Sequence, residues 1–335
     1  MRPIFAVFAG CLFAVSVSPP LAAQTQMPAP LAQLQQRLRS AGEGAPGFAA
    51  YEVRDLATGY TSGYNMNAVM PAASTIKVPV MVEVFKQMAA GAFDLNRKVE
   101  LLPEDRDWGS GDLAAAPTGS TFPVSTLLTE MITVSDNTAA NMLIRLVGRR
   151  NINATMADLG LHHTHLADYI RTAEWSVRTT LRTTPSDMVR LLSDMAKHQL
   201  IDEWSSKAMV AILERQEINT LLPEPLPSIP IAHKTGSLDD TLNDVGIVYG
   251  AEPYVIAVMT TDLSSLDSGR SFIRRISRVA FSTMQKFATW RARNVLPDTA
   301  SESPVESTAA SQPAQTIPDV PMWGPSPAPS PSTAP

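Results

Sequence analysis

The residues best suited to chemistry in this sequence are a serine and a lysine three positions apart, Ser74 and Lys77. Residues at this spacing share one face of a helix, so the lysine amine reaches the serine hydroxyl. An unprotonated amine can accept the hydroxyl proton and turn the serine into a nucleophile. We therefore predict that Ser74 attacks a carbonyl carbon and that Lys77 is its base.

The surrounding sequence predicts where this pair lies in a helix. Because proline is tolerated only near a helix start, Pro79 places Ser74 in the first turn, where backbone N–H groups lack helical partners. The Ser74 N–H can then stabilise an oxyanion, an interaction worth about 3 kcal/mol of barrier lowering. The helix is apolar on nearly all sides and is therefore expected to be buried. Its apolar residues are Ile76, Val78, Val80, Met81, Val82 and Val84.

A second motif, Ser135-Asp136-Asn137, lies between two predicted helices. We expect the Ser135 hydroxyl to bind both Lys77 and Lys234 and to relay a proton to the leaving nitrogen. The Asn137 amide is expected to steady Lys77 or the substrate. The same residue types also favour a helix N-cap, and the two interpretations are compatible.

The third motif, Lys234-Thr235-Gly236-Ser237, follows an extended run. Strand periodicity puts Lys234 and Gly236 on one face and Thr235 and Ser237 on the other, unless the strand bulges. We expect Lys234 and the two hydroxyls to bind a substrate carboxylate. Gly236 is expected to let the substrate backbone approach closely, and the Ser237 N–H to be the second oxyanion donor.

The remaining periodicity predicts strands near both ends of the folded unit and helices between them, an arrangement typical of α/β or α+β folds. The predicted strands are 48–53, 60–64, 229–234, 244–249 and 254–260, and the predicted helices are 31–42, 73–90, 123–131, 138–147, 152–159, 185–196, 202–213 and 271–293.

The three motifs, in this order, resemble the motif set of class A β-lactamases and penicillin-binding proteins. The flanking segments Pro71-Ala72-Ala73, Thr183-Thr184-Pro185 and Asn243-Asp244-Val245-Gly246 also resemble that family. The resemblance implies a β-lactamase/transpeptidase-like α/β (α+β) fold, in which an antiparallel five-stranded sheet with flanking helices adjoins an all-helical subdomain. It also implies acylation by a β-lactam.

One segment departs from the family pattern. β-Lactamases carry a glutamate that activates the deacylating water on an Ω-shaped loop, followed by an asparagine. Spacing from Thr164 and Leu166 puts Ile170 at the glutamate position of the family and Glu174 at the asparagine position. Glu174 is a candidate catalytic base for the same water, although a four-residue displacement normally moves a carboxylate away. Acylation is thus better supported than hydrolysis.

Three functions remain open on the sequence. The protein is a serine β-lactamase, a D,D-peptidase or transpeptidase acting on peptidoglycan stem peptides, or a penicillin-binding module with slow deacylation or no catalysis. Glu174 near the water favours the first function, and its absence from there favours the second. We predict a monomer that uses no cofactor. We also predict no metal site, because His162, His163 and His165 lack the spacing of a complete set of metal ligands.

The termini predict an exported protein, periplasmic or secreted. Residues 1–23 have the pattern of a cleavable signal, and their apolar run is shorter than the ~20 residues of a membrane-spanning helix. A lipoprotein site at Cys11 is a weaker alternative, since too few apolar residues precede it. Cys11 is the only cysteine of the chain, so cleavage excludes thiol chemistry in the mature protein.

The mature chain is acidic and ends in a compositionally distinct segment. Loss of Arg2 changes the net charge from −5 to −6, which argues against a nucleic-acid partner. Residues 24–296 are predicted to form the serine hydrolase domain, and residues 297–335, rich in proline, serine and alanine, a disordered tail.

Overall fold

The computed structural model describes residues 27–174 and 176–294. The predicted signal at 1–23, the single cysteine and the predicted tail at 297–335 lie outside the described residues. The boundaries of the predicted domain therefore stay predictions. Within the described residues, no helix is both long enough and apolar enough to cross a membrane.

The chain builds a five-stranded antiparallel sheet in the order β2-β1-β10-β9-β8. Strands from the two ends of the domain pair directly: β1 and β10 are antiparallel neighbours, with Phe48 opposite Thr261. Strand β8 lies at the sheet edge, where every second backbone group points away from β9. The strands of this sheet are β1 (Phe48–Asp55), β2 (Thr61–Tyr64), β8 (Ile231–Leu238), β9 (Thr241–Val248) and β10 (Tyr254–Thr261).

Two small sheets join loops to this framework. One has the order β3-β7-β6 and ties the segment before Ser74 to the chain after residue 164. The other pairs β4 with β5. Their strands are β3 (Met70–Pro71), β4 (Lys98–Glu100), β5 (Thr121–Pro123), β6 (His165–Leu166) and β7 (Leu181–Thr183).

Helices cover both faces of the large sheet. On one face, α1 and α9 pack over Tyr51, Tyr254 and Ile256. On the other face, the remaining helices enclose a larger apolar core that includes Val245, Val255 and most of α2. The helices are α1 (Ala29–Glu43), α2 (Lys77–Ala89), α3 (Val124–Thr133), α4 (Asn137–Val147), α5 (Arg149–Asp158), α6 (Val177–Thr180), α7 (Pro185–Ala196), α8 (Glu203–Leu213) and α9 (Leu266–Asn294).

Side-chain caps fix the starts of three helices. Asp136 accepts a hydrogen bond from Ala139 N at the start of α4, and Thr184 accepts one from Asp187 N at the start of α7. Asp202 caps α8 in the same way. Such caps satisfy backbone donors that have no helical partner and set the residue at which each helix begins.

The predicted fold class is confirmed, and the predicted elements agree with the structure except at several ends. β9 begins at Thr241 instead of 244, because a two-residue turn after Leu238 aligns Leu238 with Thr241 and continues the ladder. The polar residues Thr241 and Asn243 are fully buried in this strand. Because buried strand residues are usually apolar, the sequence pattern did not indicate that β9 starts here. The short strands β3 to β7 were not predicted from the sequence because they are too short to show periodicity.

Candidate active site

Ser74 lies in a 3₁₀ turn, Ala73–Ile76, that leads directly into α2. The turn begins with an unusual backbone conformation, since Ala73 has φ 47°. A non-glycine residue in this left-handed region costs about 1–3 kcal/mol and persists only where its surroundings impose it. Ser74 itself is half-buried, and its backbone N–H belongs to the first turn of the helical segment.

Two contacts from the sheet hold this strained segment. Asn243 Nδ2 of β9 donates to Pro71 O at 2.9 Å and to Ala72 O at 3.2 Å. Ala72 O also accepts hydrogen bonds from Thr75, from N at 3.1 Å and from Oγ1 at 2.7 Å. The backbone just before Ser74 is therefore fixed by hydrogen bonds on both sides.

Gly236 of β8 provides the space in which the Ser74 segment sits. A Cβ at position 236 would lie 3.0 Å from Ser74 N and 3.1 Å from both Ala72 O and Thr75 N. The close neighbour of Gly236 is thus the nucleophile segment of the protein itself, whereas the sequence analysis assigned that space to substrate backbone. Glycine lets β8 approach near enough to form one wall beside Ser74.

Lys77 and Lys234 meet at one hydroxyl. Lys77 Nζ donates to Ser135 Oγ at 3.1 Å, and Lys234 Nζ donates to the same oxygen at 3.0 Å. Lys77 Nζ also donates to Ser135 O at 2.5 Å and to Asn137 Oδ1 at 2.6 Å. Both lysines are fully buried. The structure therefore brings together Lys77, Ser135, Asn137 and Lys234 as a single buried polar cluster.

Burial changes the protonation of both lysines. Desolvation, followed by the nearby charge of Lys234, lowers the pKa of Lys77 well below its ordinary value. Desolvation also lowers the pKa of Lys234 to about 7, and the buried carboxylate of Asp244 opposes part of that shift. Both shifts favour the neutral amines, and at Lys77 the charge of Lys234 adds to the effect of burial.

The loop that carries Ser135 is held in an uncommon conformation. Ser135 has φ 64°, and the next residue, Asp136, is fully buried. Asp136 accepts from Ala139 N at 2.7 Å and from Leu113 N at 2.9 Å. The motif is therefore a helix cap and also the support of the Ser135 hydroxyl, so the two interpretations of the motif coexist.

The segment corresponding to the Ω loop places an aliphatic side chain against the core. Ile170 is buried, with 3% of its surface exposed. Asn141 of α4 fixes the backbone there, donating to Ile170 O at 3.0 Å and accepting from Ile170 N at 2.8 Å. Because Asn137 and Asn141 are one helical turn apart, α4 binds Lys77 and this loop from the same face.

Glu174 is not part of the cluster. Its side chain is exposed, and its carboxylate accepts a hydrogen bond from Ser176 Oγ at 3.1 Å. Of the predicted carboxylate-binding residues, Thr235 is buried and Ser237 is exposed on the edge strand. Lys234 and Gly236 face the Ser74 and Ser135 segments, as strand periodicity requires.

His233 points to the opposite side of β8. Its Nδ1 lies 2.9 Å from Asp244 Oδ1, and its Nε2 lies 3.0 Å from Asn219 Oδ1. This histidine is therefore a hydrogen-bonded residue of the sheet. No group of three or more His, Cys, Asp or Glu side chains in residues 27–174 and 176–294 is arranged to hold a metal ion.

Three residues of the site were not predicted from their side-chain chemistry: Asn141, Asn243 and Asp107. Asn141 repeats Asn137 at helical spacing, a signal that was available in the sequence. Asn243 was noted only as part of a family segment. Asp107 accepts a hydrogen bond from Asn137 Nδ2 at 2.7 Å, and it lies in a loop without periodicity, so no sequence pattern indicated it.

A half-buried serine at a helix start packs against β8, and two buried lysines share the Ser135 hydroxyl. This layout resembles that of serine acyl-transfer sites. Comparisons with known proteins agree with this class. A sequence model of the beta-lactamase enzyme family matches residues 32–284. Because this match covers most of the chain, the protein belongs to the beta-lactamase enzyme family, and the predicted family is confirmed.

Individual relatives are distant. Beta-lactamase VEB-1 of Pseudomonas aeruginosa is 26% identical over 198 residues, which are 53% of this chain and 64% of that protein. The solved structure of PBP-A is 29% identical and superposes with a TM-score of 0.72, covering 76% of this chain and 97% of PBP-A. A beta-lactamase from Sphaerobacter thermophilus DSM 20745 is 28% identical with a TM-score of 0.68, covering 79% and 98%.

Gly236→Ala tests the contact between β8 and the Ser74 segment. We expect the free energy of unfolding to fall by about 1–3 kcal/mol, because the added Cβ meets backbone atoms that cannot rotate away. Denaturant titration measures this change. Gly44→Ala is the matched control, since a Cβ there has Ala41 O as its nearest neighbour at 4.0 Å. Equal stability of the Gly236→Ala variant and the parent would contradict the close packing.

Proposed function

We propose that this protein is an exported serine hydrolase of the β-lactamase type, which opens β-lactam amides through an acyl-enzyme on Ser74 and releases that acyl-enzyme slowly. The observation that carries the proposal is the pair of buried lysines, Lys77 and Lys234, that share the Ser135 hydroxyl at 3.1 and 3.0 Å. Membership in the beta-lactamase enzyme family supports it.

Acylation begins with the Ser74 hydroxyl. Neutral Lys77 accepts the hydroxyl proton as Ser74 Oγ attacks the lactam carbonyl carbon. The backbone N–H groups of Ser74 and Ser237 donate to the developing oxyanion. These roles are supported by the position of Ser74 in a first helical turn and by the place of β8 at the edge of the sheet.

Ring opening needs a proton on the leaving nitrogen. Ser135 delivers one from its hydroxyl and recovers one from Lys77, so the proton taken from Ser74 ends on the nitrogen as the C–N bond breaks. Lys234 and Thr235 bind the substrate carboxylate, and Gly236 shapes the wall beside it. Asn137 donates its remaining amide hydrogen to the acyl amide of the substrate. The contacts of Lys77 and Lys234 with Ser135 support this relay.

Deacylation is the slow step because neither Ile170 nor Glu174 brings a carboxylate into the cluster. By its spacing from Thr164 and Leu166, Ile170 takes the place of the family's glutamate, and an aliphatic side chain accepts no proton. Glu174 is exposed and hydrogen-bonded to Ser176. A general base typically contributes about 10²–10⁴-fold to a rate, so its absence leaves a long-lived ester.

A second candidate function rests on the same observation. An acyl-enzyme that excludes activated water can be transferred to an amine or resolved slowly, as in a D,D-peptidase or transpeptidase acting on peptidoglycan stem peptides. The likeness to PBP-A favours this candidate, and a mutant of PBP-A has been solved as an acyl-enzyme complex with penicillin G. Both candidates share the acylation step and differ in the acceptor.

We also propose that the mature protein is a monomer in the periplasm or outside the cell. The N-terminal signal pattern at 1–23 supports export, and peptidoglycan and β-lactams are both met there. Intact mass spectra of the exported protein test the cleavage site. A chain that begins at Gln24 is expected, and retention of residues 1–23 would contradict the export signal.

Ser74→Ala is expected to abolish covalent labelling by a fluorescent penicillin, because it removes the nucleophile. Intact mass spectrometry and in-gel fluorescence measure the adduct. Ser110→Ala is the matched control: Ser110 is another half-buried serine, and its hydroxyl donates to Val134 O at 3.3 Å and to neither lysine. Labelling of Ser74→Ala at the parental rate would overturn the assignment of the nucleophile.

The turnover of a chromogenic cephalosporin is expected to show a burst of one equivalent followed by slow release. Ile170→Glu is expected to speed release by about 10²–10⁴-fold, because it introduces a carboxylate that can activate water. Glu174→Gln is expected to change neither phase, since this side chain lies in solvent. A Glu174→Gln variant that accumulates adduct, beside a parent that does not, would instead identify Glu174 as the base.

The rate of acylation is expected to rise with pH as Lys77 loses its proton and to fall with pH as Lys234 loses its proton. It rises as Lys77 becomes neutral, at a pKa well below the ordinary lysine value. It falls above a pH of about 7, where Lys234 loses the charge that binds the substrate carboxylate. Stopped-flow labelling across pH measures both limbs. A penicillin methyl ester is the control, because without a carboxylate it should lack the alkaline fall.

A further inference from the structure

A carboxylate that the sequence analysis did not single out touches the catalytic cluster. Asp107 lies in the loop before α3, and 7% of its surface is exposed. Its Oδ1 accepts hydrogen bonds from Asn137 Nδ2 at 2.7 Å, Thr172 Oγ1 at 2.7 Å and Gly109 N at 3.0 Å. Its Oδ2 accepts one from Thr172 N at 2.7 Å. Asp107 thus connects the Ω-loop segment with the residue that binds Lys77.

These contacts fix the orientation of the Asn137 amide. An amide has one accepting and one donating end, and a carboxylate can only accept. Because Asn137 Nδ2 faces Asp107, Asn137 Oδ1 must face Lys77 Nζ, which lies 2.6 Å away. The opposite orientation would set the amide oxygen against a carboxylate oxygen of Asp107, where neither atom has a hydrogen to donate.

Asp107 is held rigidly by its own surroundings. Asp107 N donates to Thr138 Oγ1 at 3.1 Å, and Thr138 Oγ1 donates to Asp107 O at 3.3 Å. Gly109 packs against Thr172, since a Cβ at Gly109 would lie 2.2 Å from Thr172 Oγ1. The loop is therefore clamped between α4 and the Ω-loop segment, and Asp107 cannot turn away without breaking several contacts.

The same contacts make Asp107 a poor base for water. Burial raises its pKa, but the hydrogen bonds from Thr172, Asn137 and Gly109 outweigh burial, and the net shift of the pKa is downward. Three protein groups donate to Oδ1 and one donates to Oδ2, so both oxygens are already bound to the protein. These contacts and the lowered pKa favour a positioning role.

We propose that Asp107 is a positioning residue that sets the Asn137 amide, so that Asn137 accepts from Lys77 and presents its second amide hydrogen to the substrate. This inference deepens the proposed function and rests on it. The carboxylate is also one of the charges that face Lys77, together with Lys234 and Asp136. Asp107 therefore acts on both acylation geometry and the protonation of the base.

A double-mutant cycle tests this proposal. The variants are Asp107→Asn, Asn137→Ala and the combination of both, and the readout is the second-order rate of labelling by a fluorescent penicillin. Asp107→Asn is expected to slow labelling by about tenfold or more, because the Asn137 amide loses its fixed orientation. The rates are compared at pH values above the acid limb, where the pKa of Lys77 no longer affects them. In the Asn137→Ala background the same change is then expected to alter the rate by less than about twofold. Effects that multiply in the double variant would overturn the proposal.

The pH profile separates positioning from a loss of fold. Removing the negative charge of Asp107 lowers the pKa of Lys77 further, so the acid limb of the labelling profile should move to lower pH. Asp105→Asn is the matched control: Asp105 is buried in the same loop, but it binds Arg145 and Leu102 N instead of Asn137. An unshifted acid limb in Asp107→Asn, or an equal shift in Asp105→Asn, would contradict the proposal.

Failure of the proposed function gives a different result. If the parent protein forms no adduct with penicillin at all, the acylation assignment fails. The contact between Asp107 and Asn137 is then tested by the chemical shift of the Asn137 side-chain amide in ¹⁵N spectra. That signal is expected to shift in Asp107→Asn and to stay unchanged in Asp105→Asn. An Asn137 signal unaffected by Asp107→Asn would refute the positioning contact itself.

Discussion

Two lysine side chains with no exposed surface donate to the same serine oxygen, and most of the site follows from this arrangement. Two neighbouring ammonium groups repel each other, and burial removes the water that would screen them. The cluster is relieved when one of them gives up its proton. Desolvation and the charge of Lys234 both lower the pKa of Lys77, which favours its neutral form. Burial and the neighbouring cation therefore favour a neutral amine on Lys77, three residues after Ser74 in the chain.

The cluster forms only when three segments that are far apart in the sequence, those of Lys77, Ser135 and Lys234, pack within hydrogen-bonding distance. Ser135 lies 58 residues from Lys77 and 99 residues from Lys234. The backbone is strained where it matters, at Ala73 before the nucleophile and at Ser135 itself. The strain is maintained by contacts from rigid elements, namely the Asn243 amide on the strained turn and the Asp136 cap of α4. These supports come from a sheet and a helix, so the site does not depend on the stability of a single loop.

The side of the site that would receive water is built differently. Asn141 fixes the backbone at Ile170, and the side chain there is apolar and packed into the core. The carboxylate that does reach the cluster, Asp107, is hydrogen-bonded through both oxygens and bound to Asn137. The motif residues Lys77, Ser135, Asn137 and Lys234 thus form one connected set of polar contacts, whereas neither Ile170 nor Glu174 brings a carboxylate into it.

The sequence by itself determined the three motifs and the burial of α2, because these depend on residue type and on spacing within single elements. The pairing of Ser74 with Lys77 stays a prediction from the same spacing. The sequence also determined the fold class and most helices and strands, which have clear periodicity. Only the tertiary structure decided that Gly236 faces the Ser74 segment, that Glu174 is exposed and that Asp107 orients Asn137. These facts depend on loops that have no period and on contacts between residues far apart in the chain. Local spacing carries no information about which distant groups come within hydrogen-bonding distance once the core has packed.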